Sequence, residues 1–186
     1  MKKLLIILLS IITIFTFAGC GSDSSSSSSS SEQVSSSSSS SSLKQKQVID
    51  TNAPIPEQVE AHVKNMILNK DDFIKVEVKD HMGKNDGTKI VLVYLKMPYI
   101  NTYKASLMNA TKVFKELYTS DLPIGEVCIF FRGSATDNAG NQSELTAIKV
   151  IMDTDKAQTI NWDNFDWRNL PSVANSIYVH PSIDKE

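Results

Sequence analysis

Two uninterrupted blocks of serine, residues 24–31 and 35–42, restrict where this chain can fold. Serine buries almost no apolar area, so neither block can contribute to a hydrophobic core. A flexible Ser-rich linker spans roughly 5–6 Å × √n, which predicts a disordered tether that reaches roughly 25–30 Å. We therefore divide the chain into an N-terminal leader at 1–19, a tether at 20–48 and a single globular domain at 49–186.

The first nineteen residues have the pattern of a cleavable leader. Lys2 and Lys3 precede an apolar run at 4–17. This run is shorter than the about 20 residues that a membrane-spanning helix needs. Small Ala18 and Gly19 follow at the place where a signal peptidase requires small side chains. The pattern predicts a secretory signal peptide.

The run Phe17-Ala18-Gly19-Cys20 resembles the lipobox of bacterial lipoproteins, although Phe17 stands where Leu is usual. The resemblance implies cleavage before Cys20, a diacylglyceryl thioether on its sulfur and anchoring at the outer face of the cell membrane. Two acyl chains hold a protein stably, at ~0.8 kcal/mol per buried CH₂. The excess of Lys over Arg indicates an AT-rich genome, which together with the lipobox-like run points to a low-GC Gram-positive bacterium. The alternative is a plain secretory signal with Cys20 as a free thiol.

Charge and cysteine content narrow the function classes. The whole chain carries a formal net charge of −2, and loss of Lys2 and Lys3 with the leader makes it more negative. Since no basic block lies outside the leader, nucleic-acid binding lacks its electrostatic basis. If Cys20 carries lipid, Cys128 has no partner for a disulfide. Cys128 lies in an apolar run, so we expect an inert core thiol.

Hydrophobic periodicity predicts two long helices and four strands after the tether. The helices are expected at 57–69 and 103–117, and the strands at 74–79, 89–97, 126–133 and 143–152. Two short helices are expected at 154–159 and from Pro171. Asn85-Asp86-Gly87 predicts a hairpin turn between the first two strands. The order α-β-β-α-β-β then predicts two hairpins, each preceded by a helix, in an α+β fold with a four-stranded antiparallel sheet, helices on one face and a short helical aromatic tail.

This order is similar to PepSY-like domains and to small secreted inhibitor modules built on α-β-β repeats. The similarity is one of topology, and it also fits an internal duplication of an α-β-β unit. A shared topology implies a fold and no activity.

Polar residues offer few sites. The loop 135–141 resembles a turn of bacterial Ig-like domains, in which Asp137, Asn138 and Asn141 could bind Ca²⁺. The same residues also form turns for conformational reasons, and we favour that interpretation. The three histidines lack metal-ligand spacing, so we expect no metal and no cofactor.

The most unusual stretch is 160–171, which contains both tryptophans of the chain. Trp162, Phe165, Trp167 and Arg168 could form an exposed surface for a protein or glycan partner. Alternatively, the aromatic rings pack back on the domain and bury large areas. The run resembles the end of a small domain found in lipoproteins of Gram-positive bacteria. That resemblance spans about 54–181 and implies no activity.

The sequence therefore predicts a membrane-anchored lipoprotein whose domain is a non-catalytic binding or modulatory module. Its expected partners are the membrane, through lipid on Cys20, and a protein or glycan, but no nucleic acid. Two alternatives are a cell-envelope enzyme whose site forms only in the fold, and a structural or immunity-type partner of a secreted system.

Overall fold

The computed structural model describes residues 46, 48–99 and 102–185. The leader, Cys20 and nearly all of the expected tether lie outside the described residues. Within the described part of the chain, no helix is both long enough and apolar enough to cross a membrane.

A five-stranded mixed sheet forms the centre of the domain, in the order β1-β2-β3-β4-β5. The strands are β1 (Phe73–Asp80), β2 (Lys89–Lys96), β3 (Ile124–Thr136), β4 (Gln142–Asp153) and β5 (Ser176–Val179). Strands β2 and β3 are parallel, and the other neighbours are antiparallel. The α+β class is confirmed. The prediction of a four-stranded antiparallel sheet is wrong in strand number and in strand direction.

The parallel pair follows from the helix between its two strands. Helix α2 (Thr102–Tyr118) connects β2 to β3. A helical crossover returns the chain to the end of the sheet where it started, so adjacent strands joined by it run parallel. The predicted hairpins β1/β2 and β3/β4 do form, and they meet at this parallel pair.

The fifth strand lies in the segment expected to be a helical tail. Ile177 and Val179 are register partners of Val150 and Ile148 on β4. The backbone N–H of His180 donates to the carbonyl of Ala147 at 2.8 Å and extends the pairing by one bond. Four residues give a weak local signal, so β5 depends on the exposed edge of β4 for its conformation.

All four helices contribute buried side chains to one core together with alternate residues of the sheet. The helices are α1 (Ile55–Met66), α2, α3 (Thr154–Gln158) and α4 (Leu170–Val173). The side of the sheet that joins this core is called the covered face. Its central members are Val91, Val93, Leu95, Val127, Ile129, Phe131, Ile148, Val150 and Met152.

The opposite side is called the uncovered face, and it carries the intervening residues of the same strands. Its central side chains are Leu92, Tyr94, Cys128, Phe130 and Ile151. None of these side chains joins the core that the described helices form.

Local signals fix the helix ends and turns. Asp153 caps α3, because its carboxylate accepts the backbone N–H of Lys156 at 2.8 Å. Gly87 and Gly140 have φ values of 78° and 86° in the two hairpin loops. Glycine reaches this left-handed region without steric cost.

Candidate functional site

The aromatic tail packs against the core. Trp162, Phe165 and Trp167 are each partly buried against it, and the Trp162 and Phe165 rings meet edge to face at 5.5 Å. Lys115 Nζ donates to the Trp162 carbonyl at 3.2 Å and bonds Asp163 at 2.9 Å. This burial favours the packing role for the three rings.

Arg168 stands apart from those rings. Its side chain is exposed, and its Nε donates to the Asp166 carboxylate at 2.9 Å. The three rings and Arg168 therefore do not form one exposed patch. Partner binding by these four residues stays a prediction.

A cleft of about 450 Å³ lies at the carboxyl end of the parallel pair β2/β3. Its walls are built by side chains from strand ends, from the β2–α2 connection and from the start of α2. They include Ile74, Lys96, Pro98, Tyr99, Thr102 and Arg132. Ligands of open sheets with parallel strands bind at this end, outside the last residues of the strands.

The chain forms this cleft for local reasons. β2 ends at Lys96, and Pro98 cannot donate to a strand ladder, so the chain leaves the sheet there. Thr102 Oγ1 then donates to the Pro98 carbonyl at 2.9 Å and holds the turn into α2. Because β2 and β3 are parallel, Lys96 and Arg132 become register partners at the mouth of the cleft.

The electrostatics of the cleft favour an anion. The Arg132 guanidinium donates to Thr146 Oγ1 at 2.8 Å and lies 3.6 Å from the exposed Glu144 carboxylate. Among the described residues, Lys96 pairs with no carboxylate. The seventeen-residue helix α2 begins at the cleft and adds the positive end of its dipole. The cleft thus combines two cationic side chains and the N-terminus of a helix with a single carboxylate, that of Glu144.

The cleft also has an apolar wall. Ile74 lies at the bulge of β1 between Phe73 and Lys75, and its side chain is 41% exposed. Tyr99 is 99% exposed, so both faces of its ring are accessible. An exposed aromatic ring beside two cations can hold the apolar body of an anionic ligand.

A second cleft, of about 550 Å³, lies beside the start of α1. Several of its polar side chains already have partners within the domain. Gln58 Nε2 donates to the carbonyls of Thr51 and Ala53, at 3.1 and 2.6 Å. His62 Nδ1 lies 2.9 Å from Oε1 of the Glu116 carboxylate. Fewer groups are left to recognise a ligand here than in the cleft at β2/β3.

The other residues considered from sequence do not converge. Asp137 accepts backbone N–H groups of Ala139 and Asn141 at 2.9 and 2.8 Å, so its carboxylate serves the turn. Within the part of the chain that the structure describes, no three His, Cys, Asp or Glu side chains could share a metal ion.

Cys128 lies near the middle of the uncovered face and is only 5% exposed. Leu92 and Ile151 are its register partners on the neighbouring strands. Burial raises the pKa of the Cys128 thiol to about 11. A catalytic thiol requires the opposite shift, because the thiolate is the nucleophile.

No protein-family model matches this chain, and neither a curated protein nor a solved structure matches it. The case for a site therefore rests on the geometry of the cleft.

Sequence reasoning missed this cleft, although a signal for it was present. Two apolar runs in the sequence each end in a cation, Leu95-Lys96 and Phe131-Arg132, and a helix separates them. Once β2 and β3 are known to be parallel, both cations must lie at the same edge of the sheet. An antiparallel sheet, which the sequence predicted, gave no reason to place the two cations together.

Proposed function

We propose that this protein is a bacterial lipoprotein, anchored through lipid on Cys20 at the outer face of the cell membrane, with a non-catalytic binding domain. The leader and the lipobox-like run 17–20 support the anchor. A diacylglyceryl group gives two acyl chains, which is enough for stable attachment. The Ser-rich stretch then serves as the spacer between the membrane and the domain.

The proposed ligand site is the cleft at β2/β3. The observation that supports it is the strand register, which places Lys96 and Arg132 side by side at this cleft. Its volume of about 450 Å³ suits a small molecule. The charges select an anionic head group, and Arg132 can bind a carboxylate or phosphate with two N–H groups. Tyr99 and Ile74 receive the apolar body.

Binding fits the cleft better than catalysis. The lining of the cleft includes one carboxylate, Glu144, which already lies near Arg132. Thr102 donates its hydroxyl hydrogen to a backbone carbonyl. An acid–base mechanism needs a poised proton acceptor within reach of the reacting group. Among the lining residues, neither Glu144 nor Thr102 is free to act as this proton acceptor.

The anchor is tested by acyl labelling in a Gram-positive host. The wild-type chain should incorporate labelled fatty acid and sediment with membranes, and Cys20→Ala should lose the label. Cys128→Ala is the matched control and should keep it. Equal labelling of wild type and Cys20→Ala would contradict the proposed lipid anchor and would not bear on the proposed ligand site.

The cleft is tested with phenyl phosphate and benzoate as probes and benzyl alcohol as the neutral counterpart. The anionic probes should shift the amide resonances of Met97, Tyr99 and Ser134, whereas benzyl alcohol should not. Arg132→Gln should weaken phenyl phosphate binding about tenfold, as expected for one charge-assisted hydrogen bond. Arg168→Gln removes the only other arginine of the chain and should change nothing. Shifts that are equal for all three probes, or unaffected by Arg132→Gln, would contradict the proposal.

A further inference from the structure

The uncovered face is ordered into rows that run across the strands. Its two central rows are read from the strand register. An aromatic row contains Lys75, Tyr94, Phe130, Lys149 and Tyr178. An aliphatic row beside it contains Glu77, Leu92, Cys128, Ile151 and Ser176.

Two outer rows flank the central pair. The cationic row lies beside the aromatic row and contains Lys96, Arg132 and Thr146. The acidic row lies beside the aliphatic row and contains Lys79, Ile90, Glu126 and Asp153.

Charge divides this face into two halves. The cationic and aromatic rows together hold Lys75, Lys96, Arg132 and Lys149, with Glu144 as the nearby carboxylate. The aliphatic and acidic rows hold Glu77, Glu126 and Asp153 with a single cation, Lys79. Within one copy Glu77 already pairs with Lys75 at 2.6 Å and with Lys79 at 3.2 Å, and the Asp153 carboxylate caps α3. The contrast in charge therefore rests on Lys96, Arg132 and Lys149 in one half and on Glu126 in the other, and each half can attract the opposite half of a second copy.

The centre of the face is apolar, but its aromatic ring faces are already in use. The Tyr94 and Phe130 rings stack at 4.8 Å with an angle of 9° between their planes. Lys75 Nζ lies 4.8 Å from the centre of the Tyr94 ring. Lys75 on β1 and Phe130 on β3 thus occupy the two faces of the Tyr94 ring, so Tyr94 has only its ring edge left for a partner. Ring edges suit packing on aliphatic side chains.

Two copies can be placed with their uncovered faces against each other, related by a two-fold axis that lies between the faces and runs parallel to the rows. This rotation brings each row of one copy opposite a different row of the other copy. The cationic row then meets the acidic row of the other copy, and the aromatic row meets the aliphatic row. Each strand keeps its place along the row, so Arg132 faces Glu126 of the second copy and Tyr94 faces Leu92. Isologous interfaces of this kind are the commonest in homo-oligomers.

The area of the face is compatible with such a dimer. The four rows cover about eight residues of each of β2, β3 and β4 but less of β1 and of the four-residue β5. With strands about 4.8 Å apart, they cover roughly 550 Å² per copy. Two copies would bury roughly 1,100 Å², which is slightly less than specific, stable interfaces bury and fits a weak association. We therefore propose that the uncovered face binds a second copy of this chain, in a weak, two-fold, face-to-face dimer.

The experiment uses the chain from position 20 onward with Cys20→Ser, so that it stays soluble without lipid. Sedimentation velocity over a concentration series should show a monomer–dimer equilibrium. Leu92→Lys places a charge in the aliphatic row and should lower the association constant about 100-fold or more. Met82→Lys is the control, because Met82 is 91% exposed and lies outside the rows.

A charge reversal tests the row pairing independently of any loss of packing. Arg132→Glu and Glu126→Arg should each weaken the dimer, because each places like charges opposite one another. The double variant in one chain should recover most of the wild-type association constant. Circular dichroism of each variant confirms that its monomer is folded.

Three outcomes would overturn the proposal: a wild-type chain that stays monomeric over the whole series, association that survives Leu92→Lys, or a double variant that does not recover. If a monomeric chain instead shows uncovered-face resonance shifts on addition of phosphatidylglycerol vesicles, the face belongs to the membrane. Leu92 is not among the residues that line the cleft, so Leu92→Lys leaves the proposed ligand site intact. Arg132 belongs to both the cleft and the cationic row, so Leu92→Lys is the variant that separates loss of the dimer from loss of ligand binding.

Discussion

The covered and the uncovered face of the sheet are built by the same strands but differ in side-chain chemistry. On β3, Phe131 points into the core and is fully buried, whereas its neighbour Phe130 lies on the other side and is partly exposed. The covered face is made almost entirely of aliphatic side chains and Phe. The uncovered face mixes aromatic, aliphatic, cationic and acidic side chains.

This difference shows how the domain separates stability from recognition. The covered face packs against the four helices, and the apolar surface buried between them stabilises the fold. The other face is then available for charged and aromatic groups that would be costly in a core. Both proposed binding regions, the uncovered face and the cleft at its end, present charged and aromatic side chains such as Arg132, Tyr94 and Tyr99, which lie outside the core.

The largest expected effect comes from truncating adjacent phenylalanines on opposite faces. Phe131→Ala should lower the free energy of unfolding by about 3–5 kcal/mol, because it leaves a cavity in the core. Phe130→Ala should cost only about 1–2 kcal/mol, from partial burial and one ring pair. Urea denaturation of both variants measures the difference. Equal losses would show that the two faces contribute equally to folding.

The next effect concerns a residue that is buried although it lies on the uncovered face. Because the pKa of Cys128 rises from 9.0 to about 11, its thiolate fraction near pH 8 should fall about 100-fold. In the Cys20→Ser chain, iodoacetamide should therefore alkylate the folded protein at least that much more slowly than the urea-unfolded protein. Comparable rates in the two states would mean that the central rows are open to solvent.

The aromatic tail gives a smaller effect on the covered side. Trp162→Ala should lower the free energy of unfolding by about 2 kcal/mol, since the ring is partly buried against the core. Arg168→Ala removes an exposed side chain and should leave thermal stability nearly unchanged. If Arg168→Ala destabilised the protein as much as Trp162→Ala, the tail would not be packed as described.

The smallest effect is a pH dependence in the tail. Hydrogen bonds from Arg168 lower the pKa of Asp166 from 3.8 to about 2. The folded pKa is below the unfolded one, so the pair stabilises the fold above pH 3.8 and this contribution disappears as the pH falls toward 2. Asp166→Asn keeps a capping side chain but removes the charge. Its difference from wild type should be constant near neutrality and shrink below pH 4, as urea unfolding across pH would show.

Local patterns in the sequence predicted much of the fold. Steps of three and four between Leu107, Ala110, Phe114 and Leu117 predicted α2, and all four are buried in it. Alternation in 74–79 predicted β1, and the Asn-Asp-Gly turn predicted its hairpin with β2. These features depend on residues close in the chain, so a single sequence reveals them.

The candidate site was not predictable in the same way. Lys96 and Arg132 are far apart in the chain, and only the pairing of β2 with β3 makes them neighbours. The tail was interpreted as helical because the four residues of β5 carry little strand signal without the β4 edge. That Trp162, Phe165 and Trp167 pack partly against the core is likewise visible only in the fold.

The sequence by itself determined the two long helices and the two hairpins, whereas the leader and the tether stay predictions. Only the tertiary structure decided that the hairpins meet in parallel and that a fifth strand completes the sheet. The reason is physical. Helices and hairpins follow from contacts between near neighbours, whereas strand order and strand direction depend on which distant segments bury the most apolar surface together.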